Sequence, residues 1–173
     1  MKNLDESLKK LDAIKKSNKE FRHMAYIPNK HELEQFYDIS SSFFSTEDPT
    51  PSIEEMPFFT VKDIFNTIKF PTSMGSTIWK DFTPGNNARV VDSLINSGAI
   101  NVGKTVTAEF AVHELNKTIN PFNKDKIPGT SSSGSAVSVS TGTVPFALAT
   151  QTAGSISRPA SYCGVWGFKP SFG

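Results

Sequence analysis

The carboxyl-terminal part of the sequence is rich in serine and poor in the other side chains that commonly perform catalysis. Residues 127–173 contain ten serines, no Asp, Glu or His, and only two charged side chains, Arg158 and Lys169. A serine becomes a nucleophile when a nearby base accepts its proton. Chemistry in this segment must therefore use serine hydroxyls, backbone N–H groups and a base supplied by another part of the chain.

Within this segment, Ala153-Gly154-Ser155 combines a hydroxyl with small residues that let the backbone approach a ligand. Neighbouring N–H groups at such a turn form a nest that favours negative charge and can stabilise an oxyanion, although the same residues could form an ordinary turn. A lysine is the expected base, because burial lowers the pKa of lysine. Lys62, which follows the apolar run Phe58–Val61, is the best-placed lysine.

Other interpretations of two glycine-containing segments remain open. Gly98–Thr105 satisfies the nucleotide-binding pattern G-x-x-x-x-G-K-[ST]. That pattern works between a strand and a helix, whereas here a helix precedes Gly98 and the intervening residues are strand-like, so we expect Lys104 to anchor carbonyl groups or loops instead. Gly129–Ser135 could be a flexible linker or a phosphate loop at a helix start, but no Lys or Arg follows it.

Hydrophobic periodicity predicts an α/β fold with a mixed, mainly parallel sheet flanked by helices. The predicted strands cover residues 57–61, 99–102, 144–150 and 165–168, and the predicted helices cover residues 4–14, 31–37, 87–97, 106–115 and 135–142. Asn87 is expected to cap its helix, and Gly98 to end it in the left-handed conformation. Residues 40–52, 70–87 and 120–128 are expected to be loops or irregular.

Composition excludes several classes of function. A net charge of +1 gives no electrostatic reason to expect a nucleic acid or an anionic membrane as a partner. The sequence has no apolar run of 18 residues and no apolar core of a signal peptide near its first residues. The single cysteine, Cys163, cannot form an internal disulfide. These features predict a cytoplasmic protein of one domain, or one piece of a larger domain.

The serine-rich motifs resemble those of the amidase signature family over residues 51–173. The matching stretches are Gly129–Ala136, Thr152–Ile156, Arg158–Ala160 and Cys163–Pro170, with Val61–Asp63, Gly98–Ala99, Val102–Thr105, Glu109–Phe110 and Asn120–Pro121 in the family's order upstream. The resemblance implies an amidohydrolase that acts on small-molecule amides without a metal or cofactor. It does not settle which amide, or whether the nitrogen is transferred to another molecule rather than released.

The resemblance also assigns roles to individual residues. It implies that Ser155 is the nucleophile, that Ser131, preceded by a cis peptide bond, is a bridging serine, and that Lys62 is the base. It implies an oxyanion hole made by the backbone N–H groups of Thr152, Ala153, Gly154 and Ser155. Lys104 is not the catalytic lysine of the family.

The sequence departs from the family in several places. Gly129-Thr130 and Ser133-Gly134 stand where Gly-Gly is frequent, Gln151 replaces a common Asp, and Ala153 replaces a common Gly. The missing acid at Gln151 is expected to change how the loop before Ser155 is tied down.

The family's members are also much longer than this chain. We therefore expect residues 1–50 to form a helical segment and loop, and residues 51–173 to form a signature domain truncated at its carboxyl-terminal side. A missing carboxyl-terminal half or a homo-oligomer is a candidate partner. The alternative to an enzyme is a truncated, catalytically silent fragment.

Overall fold

A computed structural model of the chain describes residues 2–35 and 57–171, with only the backbone described for residues 2–7. The helices are α1 (Lys2–Phe21), α2 (30–35), α3 (Arg89–Asn96), α4 (Ser133–Ser140) and α5 (Ser157–Tyr162), and Glu109–Ala111 form a short 3-10 helix. The strands are β1 (Met24–Tyr26), β2 (Phe58–Lys62), β3 (Ile100–Thr105) and β4 (Phe146–Leu148). Within the described residues, none of the helices has the length and apolar character needed to cross a membrane.

The four strands form one sheet in the order β1-β3-β2-β4. Strand β2 runs parallel to both of its neighbours, β3 and β4, whereas β1 runs antiparallel to β3. The predicted α/β class with a mixed, mainly parallel sheet is therefore confirmed. Because β2 and β4 are parallel, the residues that follow them emerge at the same edge of the sheet.

A β-bulge in β3 decides which face of the sheet its polar residues occupy. Phe59 pairs with Asn101 and Val61 pairs with Lys104, so β3 has one more residue than β2 between these pairs. The extra residue is accommodated at Gly103, whose φ is 138° and whose N–H donates to Asn101 Oδ1 over 3.0 Å. As a result Lys104 stands opposite Val61 rather than opposite Lys62.

Both faces of the sheet are covered. On one face, Thr60 Oγ1 contacts Ser138 Oγ over 3.1 Å and Thr105 Oγ1 contacts Ser135 Oγ over 2.7 Å, so hydroxyl pairs join the sheet to α4. The other face packs on α3 through an apolar cluster. That cluster contains Phe59, Val61, Phe70, Val91, Ile95 and Ala99.

Helix α1 packs on the body of the protein, as its apolar spacing predicted. Leu11 and Ile14 are buried, and Ile14 belongs to a cluster with Met24 of β1 and Val102 of β3. The boundary between residues 50 and 51 lies outside the described residues, so the division into two segments stays a prediction. The predicted loop at residues 40–52 also lies there, as do residues 36 and 37 of the predicted second helix, whose earlier part is confirmed by α2.

Helix α4 confirms the prediction of a central helix of small residues, and residues 133–138 are all buried. Residues 70–87 are irregular and Gly98 is left-handed at φ 87°, both as predicted. The predicted Asn87 cap is wrong, because α3 begins at Arg89 and Asn87 Oδ1 instead accepts from Ile68 N over 2.7 Å. The strand predicted over residues 144–150 shortens to β4, which is half-buried.

Two predicted elements are absent from the described part of the chain. Residues 106–115 form no α-helix, because their amides bond to distant carbonyls: Val106 N donates to His23 O, and Ala108 N to Ser131 O. Residues 165–168 form no strand, and the side chains of Trp166 and Phe168 are exposed.

Candidate active site

Lys62 ends β2 as a fully buried lysine without a carboxylate partner among the described residues. Its Nζ donates to Ser131 Oγ over 2.7 Å and to Thr150 Oγ1 over 2.8 Å. Burial lowers the pKa of Lys62 from 10.5 to about 7, because the ammonium form loses its hydration. At neutral pH a substantial fraction of this amine is therefore unprotonated and able to accept a proton.

Ser131 lies at the turn that leads into α4. The peptide bond from Thr130 to Ser131 is cis, as the resemblance implied, and the Ser131 side chain is fully buried. Two residues earlier, Gly129 has φ 82°, and a Cβ there would lie 2.8 Å from Pro159 Cα. Glycine thus allows this turn to pack directly against α5, which follows Ser155.

Ser155 is half-buried in the turn before α5, beside the Ser131 segment. Ser132 N donates to Ser155 O over 3.3 Å, which joins the two serine-containing segments. Ser155 Oγ makes no hydrogen bond within residues 2–35 and 57–171, so a hydrogen bond joins Lys62 to Ser131 but none joins Ser131 Oγ to Ser155 Oγ.

The residues predicted to form the oxyanion hole present free amide groups. None of the N–H groups of Thr152, Ala153, Gly154 and Ser155 donates to an acceptor in the described part of the chain. Thr152 and Ala153 are exposed, while Gly154 is half-buried with the Arg158 side chain beside it. These four amides remain available to a ligand that carries or develops negative charge.

Two further residues hold this site together: Thr150, which sequence reasoning missed, and Gln151, which it marked only as a departure that should affect the loop before Ser155. Thr150 accepts from Lys62 through its hydroxyl and from Ser132 Oγ through its carbonyl, over 3.2 Å. Gln151 Oε1 accepts from Ile156 N over 2.8 Å and from Ser157 N over 2.9 Å. A signal existed for Thr150: parallel β2 and β4 end together, so a polar residue just after β4 lies near Lys62.

Lys104 occupies the opposite face of the sheet and has a different environment. It forms a buried ion pair with Asp63, with 3.3 Å between Nζ and Oδ1. Burial lowers the pKa of Lys104 to about 8, while the charge of Asp63 acts in the opposite direction. Its Nζ also contacts Phe65 O, Thr67 Oγ1, Pro71 O and Thr72 Oγ1. The predicted anchoring of loops and carbonyls by Lys104 is confirmed.

These contacts exclude the nucleotide-binding interpretation of Gly98–Thr105. All six residues of β3 are buried, and the strand is paired on both edges, so its amides cannot wrap a phosphate. No group of three or more His, Cys, Asp or Glu side chains that could hold a metal ion occurs within the described residues.

Comparison with known proteins shows which family this chain belongs to. The family model described as Amidase matches residues 6–173. A glutamyl-tRNA(Gln) amidotransferase subunit of Methanosarcina mazei is 41% identical over 119 residues, which are 65% of this chain and 25% of that protein. The chain thus spans about a quarter of the length of the curated relatives that it matches.

Two solved structures extend the likeness. A vestigial protein complex, which bears on the evolutionary origins of an s-triazine catabolic enzyme, has a chain with TM-score 0.85 and 28% identity over 100% of this chain and 39% of its own. The corresponding glutamyl-tRNA(Gln) amidotransferase subunit of Thermotoga maritima gives TM-score 0.66 and 31% identity over 84% of this chain and 37% of its own. Because the family model covers almost the whole sequence, this chain belongs to the amidase family.

Proposed function

We propose that this chain carries the Ser–Ser–Lys centre of an amidase, which hydrolyses a carboxamide C–N bond through an acyl-enzyme on Ser155. The observation that carries the proposal is the buried amine of Lys62, 2.7 Å from Ser131 Oγ, with a pKa of about 7. A lysine in this state can act as a base at neutral pH, which an exposed lysine cannot.

In the proposed reaction, neutral Lys62 takes a proton from Ser131 while Ser131 takes the proton of Ser155. Ser155 Oγ attacks the amide carbonyl, and the free N–H groups of residues 152–155 bind the oxyanion that forms. The proton returns through Ser131 to the leaving amine, and the C–N bond breaks. Water then hydrolyses the ester at Ser155 by the same proton path, which restores the free hydroxyl.

One contact of this path must form when substrate binds. Ser155 Oγ has to come within hydrogen-bond distance of Ser131 Oγ, and the backbone bond from Ser132 N to Ser155 O already joins the two segments. Catalytic hydrogen bonds are often loose in enzymes without substrate and tighten in the complex.

The complete protein is proposed to contain more than these residues. Trp166 and Phe168 are 103% and 80% exposed, and such side chains are usually covered by another part of the protein or by a partner. A further carboxyl-terminal segment or a second copy of the chain would cover them. We also propose a cytoplasmic location and a division of the chain between residues 50 and 51. The proposal does not choose between release of the nitrogen by hydrolysis and its transfer to another molecule.

A second candidate function is a catalytically silent amidase fragment. It is favoured by the missing hydrogen bond of Ser155 Oγ among the described residues and by the exposure of Thr152 and Ala153. In that case Lys62 and Ser131 would remain as buried structural partners, and the chain would act through its surface.

A fluorophosphonate probe distinguishes the two candidates, because it reacts only with an activated serine. The proposed amidase should be labelled at Ser155, with labelling lost in Ser155→Ala and slowed about 100-fold or more in Lys62→Met. The matched control is Ser161→Ala, an exposed serine on α5, which should label like the parent. A cooperatively folded chain that does not label at Ser155 would reject the amidase and favour the silent fragment.

A further inference from the structure

We propose that Gln151 is a positioning residue that holds the oxyanion loop, defined as residues 152–155, in its reactive shape. The inference rests on the proposed function, because it concerns the same reaction. It starts from a side chain that the family resemblance marked only as a departure, where Gln replaces a common acid.

The Gln151 side chain joins the two ends of the oxyanion loop by hydrogen bonds. Its Oε1 accepts from Ile156 N over 2.8 Å, from Ser157 N over 2.9 Å and from Ser157 Oγ over 3.1 Å. The two backbone partners can only donate, so the oxygen rather than the amide nitrogen must face them. The residue before the loop is thereby fixed to the two residues after it.

These hydrogen bonds supply the acceptor that the amino-terminal end of α5 lacks. The first amides of a helix have no partner within the helix, and Ile156, at the cap position of α5, makes no side-chain cap hydrogen bond. Gln151 satisfies the amides of Ile156 and Ser157 from outside the helix. Without that acceptor, the turn could relax so that carbonyls of the loop take these donors, and the loop would no longer hold its amides free for a ligand.

The same stretch of backbone also reaches the base. Thr150 accepts from Lys62 Nζ, and Gln151 follows it directly in the chain. These two residues therefore fix the amine at one end of the site and the loop amides at the other. A change of the acceptor at residue 151 should alter the rate of acyl transfer more than it alters folding, because Gln151 is only half-buried.

Three substitutions at residue 151 test the acceptor rather than the size of the side chain. Gln151→Met keeps the length and removes the acceptor, Gln151→Asn keeps the acceptor on a side chain that is too short, and Gln151→Glu keeps both. We expect the first-order phosphonylation of Ser155 to fall about 100-fold in the Met and Asn variants, as for a misplaced oxyanion donor. The Glu variant should remain within about tenfold of the parent.

Thermal unfolding and hydrogen exchange accompany the labelling. The Met variant should unfold near the parent temperature, and the amides of Ile156 and Ser157 should exchange faster than in the parent. Reversible binding of the probe should change less than the phosphonylation step. If the Met variant does not fold, the comparison of the Asn and Glu variants carries the test.

The labelling results separate a failure of this inference from a failure of the proposed function. A folded Met variant that labels within threefold of the parent overturns the inference, as does a Glu variant as slow as the Met variant. If the Met variant does not fold, equal rates for the Asn and Glu variants overturn it. A parent chain that is folded and never labelled at Ser155 rejects the proposed function itself, which is a different result from equal labelling of parent and variant.

Discussion

The buried amine of Lys62 should give the protein a distinctive dependence of stability on pH. In the folded chain the pKa of this lysine is about 7, whereas an unhindered lysine has a value of 10.5. Below pH 7 the amine is protonated in both states, and the full cost of the buried charge weakens the fold. Between pH 7 and pH 10.5 the unfolded state binds more protons than the folded state, so stability rises with pH.

The size of the effect follows from the shift. The difference between the two pKa values corresponds to about 5 kcal/mol over the whole range, and to about 2–3 kcal/mol between pH 7 and pH 9. Replacing Lys62 with Met removes this titration. It also leaves Ser131 Oγ and Thr150 Oγ1 without the amine, at a cost of about 1–3 kcal/mol each. The informative quantity is therefore the difference in unfolding free energy between the parent and Lys62→Met, and how that difference changes with pH. The stability of the variant at a single pH is not informative.

Urea unfolding of the parent and of Lys62→Met at pH 7 and pH 9 measures that quantity. Other titrating groups, including Lys104, are present in both proteins and largely cancel. We expect the parent to gain about 2–3 kcal/mol relative to the variant between these pH values. If the two proteins respond equally, Lys62 is charged in the folded state at neutral pH and cannot serve as the proposed base.

Three further predictions concern the surroundings of the site. In chemical unfolding, Gly103→Ala should lower the free energy of unfolding by about 2 kcal/mol or more, because the new Cβ would lie 2.5 Å from a backbone carbonyl oxygen. The control is Gly142→Ala, at a left-handed position with open space around it, which should cost only about 1 kcal/mol. Lys104→Met should cost about 3–5 kcal/mol by leaving Asp63 unpaired, and Asp63→Asn in the same chain should recover part of that loss in thermal unfolding. Cys163 is buried with its pKa raised to about 12, so iodoacetamide should modify it only in denaturant, and rapid modification of the folded chain would contradict its burial.

The elements with a strong local pattern could be predicted from the sequence. The apolar spacing of α1, the β-branched and aromatic run of β2 and the small residues of α4 each specify their structure through nearby residues. The helix predicted over residues 106–115 is absent for a nonlocal reason, since amides of this segment donate to the carbonyl groups of residues 23, 74 and 131. No periodicity within that segment records such partners.

The candidate site was also predictable only in part. Motif resemblance placed Lys62 and Ser131 in one site, and their contact is present in the structure. The hydrogen bonds made by Gln151 could not be predicted, because they depend on the path of the four-residue oxyanion loop, which brings this side chain back to amides further along the chain. The sequence recorded only that an acid was missing, and the structure shows that a neutral amide oxygen makes the connection.

Two lysines within this sheet show how position, rather than residue type, decides chemistry. Burial lowers the pKa of both Lys62 and Lys104, but only Lys104 has a carboxylate, Asp63, that favours its charged form. The bulge at Gly103 places Lys104 on the face that carries Asp63 and leaves Lys62 on the face that carries Ser131. A chain without that extra residue would exchange the two faces along the end of β3. The ion pair would then be lost and a second cation would approach Lys62, so the bulge is a requirement for the proposed base.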